Sequence, residues 1–288
     1  NKLKHLVPVL LALATITVSL SACELKPKAQ QKVSKQGFYF DTIIQITLYG
    51  TTDEKYIDDC FDMAKKYEDM LSNTVSYSEV SKINDAAGKE YVTVSDDTLE
   101  LIKNGIEYGD TSDGRFDITI GKLSDLWNFS EIAENTDSKD NEVDASVVPS
   151  DAQIQSELSH VNYRNIQING NDVMLTDSKA KLDLGGIAKG FIADKMKAYL
   201  QSKKITSGII NLGGNVLTVG EKSDGSDYTV GIQKPFDESG EPICTVKIKD
   251  KSVVTSGIYE RYYRVDGKLY HHILDTTTGY PVKNNLYS

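Results

Sequence analysis

The chain has 288 residues, of which 39% are apolar and 26% charged, a composition that supports a sizeable core and argues against wholesale disorder. Its formal net charge is −10; Lys2 and Lys4 contribute +2 of that, so the remainder carries −12. Such acidity argues against non-specific nucleic-acid binding, which depends on Lys and Arg neutralising phosphates. It still allows one small anion held locally by backbone N–H groups and a lysine.

Lys2 and Lys4 form a short basic region, followed by fifteen uncharged residues from Leu6 to Leu20. That run is short for a membrane span and suits the apolar part of a signal peptide. It ends in Leu20-Ser21-Ala22-Cys23, small residues before a cysteine, which resembles a lipobox. Residues 1–22 are therefore expected to be a lipoprotein signal peptide, with Cys23 lipidated by palmitate-type acyl chains. A plain signal peptide with an incidental cysteine is the alternative. Residues 23–36, with Pro27 and four lysines, read as the lipidated cysteine and a tether. The folded domain is expected over 37–288, held at the cell membrane on its extracytoplasmic face.

Phe38 to Tyr49 is β-rich and alternating, and reads as one strand. Ile57, Phe61, Ala64, Tyr67 and Leu71 recur at helical spacing and predict a helix over 54–72. A second helix is expected over 96–110, with Leu99, Ile102 and Ile106 on one face. Residues 131–148, acidic and rich in Asn and Ser, read as a surface loop. Asn169-Gly170-Asn171 predicts a hairpin between strands 166–169 and 172–176. A third helix is expected over 187–200. Strands follow at 208–212, 215–219, 228–233, 243–249, 259–265 and 268–274. Helices packed on antiparallel strands make an α+β domain. Cys60 and Cys244 could pair in an exported protein; a helix face and a strand favour two separate buried thiols. Trp127, the sole Trp, is expected in the core.

Three blocks carry candidate chemistry. Lys181 to Gly190 (KLDLGGIAKG) runs from a short strand through paired glycines into a helix, whose N-terminus attracts anions. Lys189 adds a charge there, and Asp183 could bind a ribose or a polar ring edge. Taken alone, the block could equally be a packing turn; it is neither GxGxxG nor a Walker loop. The second block, Thr111 to Asp117, presents Phe116 and Asp117 and suits a planar, hydrogen-bonding ligand, or is an ordinary turn. The third comprises Val254–Arg261, Tyr270–Asp275 and Thr278–Pro281. Its adjacent His271 and His272 would point to opposite faces of a strand, which makes a poor chelate but allows one imidazole as a general base. A surface histidine pair is the alternative.

Together with Ser78–Asn84, Leu126–Phe129 and Asn211–Asn215, these blocks resemble the FAD:protein FMN transferase (ApbE) family in order and over about Phe38 to Ser288. The resemblance implies a T-fold-like architecture of antiparallel sheets with packed helices. It implies FAD as donor substrate, Mg2+ as metal, and a Thr or Ser of a second protein as acceptor, with AMP released. By matching position, FAD contacts would fall on Phe40, Thr74, Arg115, Phe116, Asp117, Asp183, Lys189 and Leu274, and Thr255 would line the flavin-phosphate pocket. The Gly186 carbonyl would be a metal ligand, and His272 the base. Thr74 stands where many relatives place an aromatic that stacks on the flavin. The family's Asp and Thr metal ligands are expected beyond Ser288. An FAD pyrophosphatase, or a non-catalytic flavin-binding lipoprotein, are the alternative readings.

Overall fold

The computed structural model describes residues 31–136, 141–237 and 239–288; the signal segment, Cys23 and the start of the tether lie outside them. Strand β1 (Lys32–Tyr39) and strand β2 (Thr42–Tyr49) pair antiparallel from Lys32↔Tyr49 to Tyr39↔Thr42. Phe40 and Asp41 join them, each at φ 55°. Two left-handed residues in a two-residue loop give the turn whose twist matches the flanking strands. Two sequence expectations are corrected here. The single strand over 38–49 is a hairpin, hidden because neither turn residue is Gly or Asn. The domain begins before residue 37, because Lys32–Gln36 belong to β1. β1 alternates exposed and half-buried residues, so its outer face is polar enough to read as a linker.

Next come helix α1 (Lys55–Leu71), helix α2 (Glu79–Asp85), strand β3 (Val92–Thr93) and helix α3 (Asp96–Thr111). Helices α4 (Gly121–Trp127), α5 (Phe129–Glu134) and α6 (Asp151–Leu158) follow, then the hairpin of β4 (Ile166–Asn169) and β5 (Asp172–Leu175). Helix α7 (Gly185–Ser202) leads into β6 (Ser207–Leu212), β7 (Asn215–Gly220), β8 (Tyr228–Gln233), β9 (Pro242–Ile248) and β10 (Ser252–Val254). The described chain ends with the hairpin of β11 (Tyr262–Val265) and β12 (Lys268–His271). The expected loop over 131–148 thus contains the end of α5, and the last two expected strands are shorter. Asn128, at φ 46°, lets α5 start where α4 stops.

The main sheet has the order β1-β2-β6-β7-β10, antiparallel throughout. Ile44, Ile46 and Leu48 of β2 and Ile210 and Leu212 of β6 are fully buried. They join Ile57, Cys60 and Ala64 of α1 and Ile192, Met196 and Leu200 of α7 in one aliphatic core. A second, smaller core gathers Leu123, Trp127, Phe129, Ile154, Tyr263, Tyr270 and Leu274. Trp127 packs there as expected: it stacks on Phe129 at 5.5 Å, and its Nε1 donates to the Gly279 carbonyl at 2.8 Å. The α+β expectation matches this architecture.

Cys60 and Cys244 are both free. Burial pushes the Cys60 thiol up to about 12, so it stays a neutral apolar filler. Cys244 is exposed, against the expectation of two buried thiols. It sits on β9, which pairs only with β8 in a two-stranded ribbon and exposes every residue from Pro242 to Lys247.

Candidate active site

Two backbone contacts bring the first two blocks together. The Asp183 N–H donates to the Ile118 carbonyl at 2.8 Å, and the Gly121 N–H to the Lys181 carbonyl at 3.0 Å, around a parallel bridge between Ile120 and Lys181. The loop after α3 is thereby laid beside the entry to α7. Phe116 covers Gly186: a Cβ there would stand 3.1 Å from the Phe116 ring. Asp183 Oδ1 accepts from the Gly185 N–H at 2.8 Å and fixes the first turn of α7. Gly185 and Gly186 are exposed at that turn, where the helix field attracts anions. The third block joins through Thr276, whose hydroxyl donates to the Gly114 carbonyl at 2.7 Å. Arg115 is exposed there, and its charge helps hold the Asp275 carboxyl below the usual range, after the Thr277 hydrogen bonds that dominate.

The adjacent histidines face different neighbours. His271 is buried, with Nε2 on the Val282 carbonyl at 3.1 Å and Nδ1 on the Ile273 N–H at 3.3 Å. A carbonyl only accepts and an N–H only donates, so both ring nitrogens are committed. His272 sits one residue beyond β12, with Nδ1 on the Arg261 carbonyl at 3.2 Å. Nδ1 must therefore carry the proton, which leaves the Nε2 lone pair as the acceptor. Burial, then the charges of Arg261 and Lys189, push His272 down to about 4, so it is neutral at pH 7.

Lys189 is half-buried and makes no hydrogen bond or ion pair among the described residues. Its pKa is lowered by burial first and then by Arg261, with Glu260 acting the other way. Sequence reasoning gave Arg261 no role; the structure couples it to both Lys189 and His272. Its membership of the Thr255–Arg261 block was the available signal.

The remaining candidates divide into two groups. Phe40, at the β1–β2 turn, donates its N–H to Glu68 Oε1 at 2.8 Å. A Cβ on Gly213 would meet the Thr42 side chain at 2.5 Å, so that turn lies beside the β6–β7 turn. Thr255 follows β10, whose Val254 pairs with Asn215, at the same end of the sheet. Thr74 is exposed in a loop tied down by Ser78 and Ser81 donating to the Ser72 carbonyl, at 2.5 and 3.4 Å. Asp117 and Leu274 turn their side chains into the protein. Asp117 is turned inward: Oδ1 accepts from the Thr119 N–H and hydroxyl at 2.7 and 2.6 Å, and Oδ2 from the Tyr163 N–H at 2.9 Å. Its carboxylate ties loops together rather than facing a ligand. The Leu274 side chain belongs to the second core, so only its main chain is free for a ligand.

Comparison with known proteins places this geometry. Residues 40–288 match the model of the ApbE family. This chain belongs to the ApbE family. The FAD:protein FMN transferase of Klebsiella pneumoniae (strain 342) is 37% identical over 247 residues, covering 85% of this chain and 72% of the relative. That of Vibrio cholerae is 30% identical over 282 residues, covering 97% and 80%. Among solved structures, the ApbE protein of Thermotoga maritima superposes with a TM-score of 0.78 at 32% identity, over 88% of this chain and 79% of that one. The flavin transferase ApbE from Vibrio cholerae gives 0.74 at 27%, with the same coverage.

In this ApbE-family enzyme the first turn of α7 is exposed and Lys189 is half-buried, whereas the described residues bring few metal-ligand types together. Mg2+ takes a near-octahedral set of oxygen ligands, commonly including carboxylates. No group of three or more His, Cys, Asp or Glu side chains among the described residues is placed to hold a metal. The Gly186 carbonyl alone does not make a metal shell.

Proposed function

We propose that this ApbE-family enzyme is an FAD:protein FMN transferase, attaching FMN through a phosphoester to a Thr or Ser of an acceptor protein and releasing AMP. The observation that carries the reading is an unpaired half-buried lysine on the helix with the exposed N-terminus, close enough for its charge to act on a histidine with one free lone pair. Lys189 and the first turn of α7 receive the pyrophosphate, because both offer positive charge where desolvation strengthens it. Phe116, lying over Gly186, offers an apolar face for a planar ring.

His272 takes the proton of the acceptor hydroxyl at Nε2 while the hydroxyl oxygen bonds to the FMN-side phosphorus. The bond from that phosphorus to the bridging oxygen breaks, and AMP leaves with the electron pair. A base near pH 4 is weak in the empty site, but two phosphate charges beside it favour the imidazolium and raise its proton affinity as the donor binds. A divalent metal belongs to the proposal as a source of charge neutralisation, with the Gly186 carbonyl as one ligand; the residues described do not complete its shell, so no step is routed through it. We also propose that lipid on Cys23 holds the domain at the extracytoplasmic face of the membrane.

The test incubates the full chain with FAD, Mg2+ and a candidate acceptor, and follows covalent flavin fluorescence on the acceptor together with AMP. Equal yields of bound FMN and AMP are expected. Free FMN and AMP whether or not acceptor is present would make the enzyme a pyrophosphatase. FAD binding without AMP would make it a flavin carrier. Mass spectrometry of the native protein should find acyl chains on Cys23, and an unmodified thiol there would remove the anchor.

A further inference from the structure

Nine polar side chains are buried among the described residues, and eight of them have a side-chain hydrogen bond. Ser78 and Ser81 donate to Ser72, Thr98 accepts from Ser95, and Ser207 meets the Tyr228 hydroxyl. Asp117, Thr119, Thr218 and His271 are bonded as well. Asn215 is the exception: it is 7% exposed, and no partner faces its carboxamide among the described residues. Leaving a buried amide unpaired is unfavourable, so such a group needs an explanation. The amide is also not sealed in. The Tyr263 hydroxyl is the one side-chain polar atom among the described residues that is both fully enclosed and unpartnered. The Asn215 carboxamide therefore keeps a small contact with solvent, where water can bond to it until a ligand atom takes that place.

Its position is informative. Asn215 opens β7, opposite Leu212 on one side and Val254 on the other, so Thr255 begins one residue beyond its partner. Its Nδ2 lies 3.7 Å from where a Cβ on Gly190 would stand, next to Lys189 on α7. That is ordinary van der Waals contact, so the amide packs against this part of α7. The amide thus packs against the helix that carries Lys189, at the residue next to it in the chain.

We infer that the Asn215 carboxamide is a donor-binding group that gives a hydrogen bond from Nδ2 to a phosphate oxygen of the dinucleotide. The inference rests on the transferase reading and adds a residue to it. A phosphate oxygen is the acceptor that Lys189 and the helix field would draw to this place, and it would satisfy an amide that the fold leaves unpaired.

Asn215→Leu keeps the size without the polar atoms, and Asn215→Asp keeps the shape but replaces the donor with a negative charge. FAD binding by calorimetry and thermal melting are measured on the full chain for both. The Leu variant should melt at or above the wild-type temperature, because no hydrogen bond within the protein is lost, yet bind FAD about ten-fold more weakly. The Asp variant should bind more weakly still, by about a further ten-fold, because like charges meet. Affinities within two-fold of wild type in both variants would remove Asn215 from the site, and equal losses in the two would remove the phosphate as its partner. A lowered melting temperature in the Leu variant would show a hydrogen bond within the protein and overturn the argument. A wild-type chain that binds no FAD would bring down the transferase reading itself, and this inference with it.

Discussion

The two cores of the molecule are built differently. The larger is aliphatic, with Ile, Leu, Val and Ala from five strands and the long helices, and few aromatic rings. The smaller is built around rings: Trp127 on Phe129, Phe129 on Tyr263 at 5.1 Å, and Tyr263 on Tyr270 at 5.7 Å. Its members come from positions 123 to 274, so no single stretch carries its pattern. The larger core aims the N-terminus of α7 and Lys189. The smaller aims the segment from His272 to Pro281. The proposed active site thus draws on a scaffold of regular elements and on loops fixed by aromatic packing, and damage to each should look different.

The sharpest break is between the two histidines. His272→Ala should lower FMN transfer about 10²- to 10⁴-fold in single-turnover assays with FAD bound. His271→Ala should lower the melting temperature, because its two ring hydrogen bonds and its packing are lost, with a far smaller effect on the rate of the folded fraction. A crippled His271 variant beside a normal His272 variant would reverse the assignment. The cores themselves come next. Trp127→Ala should cost about 3–5 kcal/mol by denaturant unfolding, and Ile46→Ala about 2–5 kcal/mol. Only the Trp127 variant should also slow transfer in the surviving folded protein, because it frees the Gly279 carbonyl and loosens the segment that Thr276 ties to Gly114. Equal loss of specific activity in both would erase the distinction.

Acid should expose a third difference. Burial holds the folded His272 near 4, while the unfolded chain takes a proton near 6.5. Stability is therefore retained above about pH 6.5 and lost as pH falls toward 4, by about 3 kcal/mol at most. His271, also lowered by burial, adds to the same slope. His272→Asn should flatten the curve of unfolding free energy against pH over that window. The smallest effect is expected at the anion site: Lys189→Ala should weaken FAD binding by about 1.5–3 kcal/mol, read by calorimetry. Unchanged binding would place the pyrophosphate elsewhere.

The sequence was legible where the pattern is local. Helices α1, α3 and α7 announce themselves by apolar spacing, and Asn169-Gly170-Asn171 marks the β4–β5 turn. The Phe40–Asp41 turn is only weakly marked, because Asp41 tolerates the left-handed region but Phe40 does not favour it and is held there by β1–β2 pairing. Helices α4, α5 and α6 are six to eight residues long, so their apolar period is too short to read. In the site, residue types pointed to Lys189 and His272, and the structure adds Arg261, whose carbonyl meets His272 and whose charge acts on both. Type alone could not show that Asp117 faces inward, since a carboxylate that ties loops and one that binds a ligand look the same in a sequence.

The ladder between β2 and β6 has a consequence for how the chain reaches this state. The β1–β2 and β6–β7 hairpins close over two-residue turns, whereas Leu48 and Gly208 pair across 208 − 48 = 160 positions. Closing a loop of that length costs about 4.5 kcal/mol of chain entropy or more before any contact is gained. The hairpins can form in microseconds, while the seam must wait until the intervening helices have compacted. Until it closes, one edge of β2 and one edge of β6 stand open to other chains. Late closure of the β2–β6 seam therefore leaves two strand edges exposed to misassembly while the chain folds.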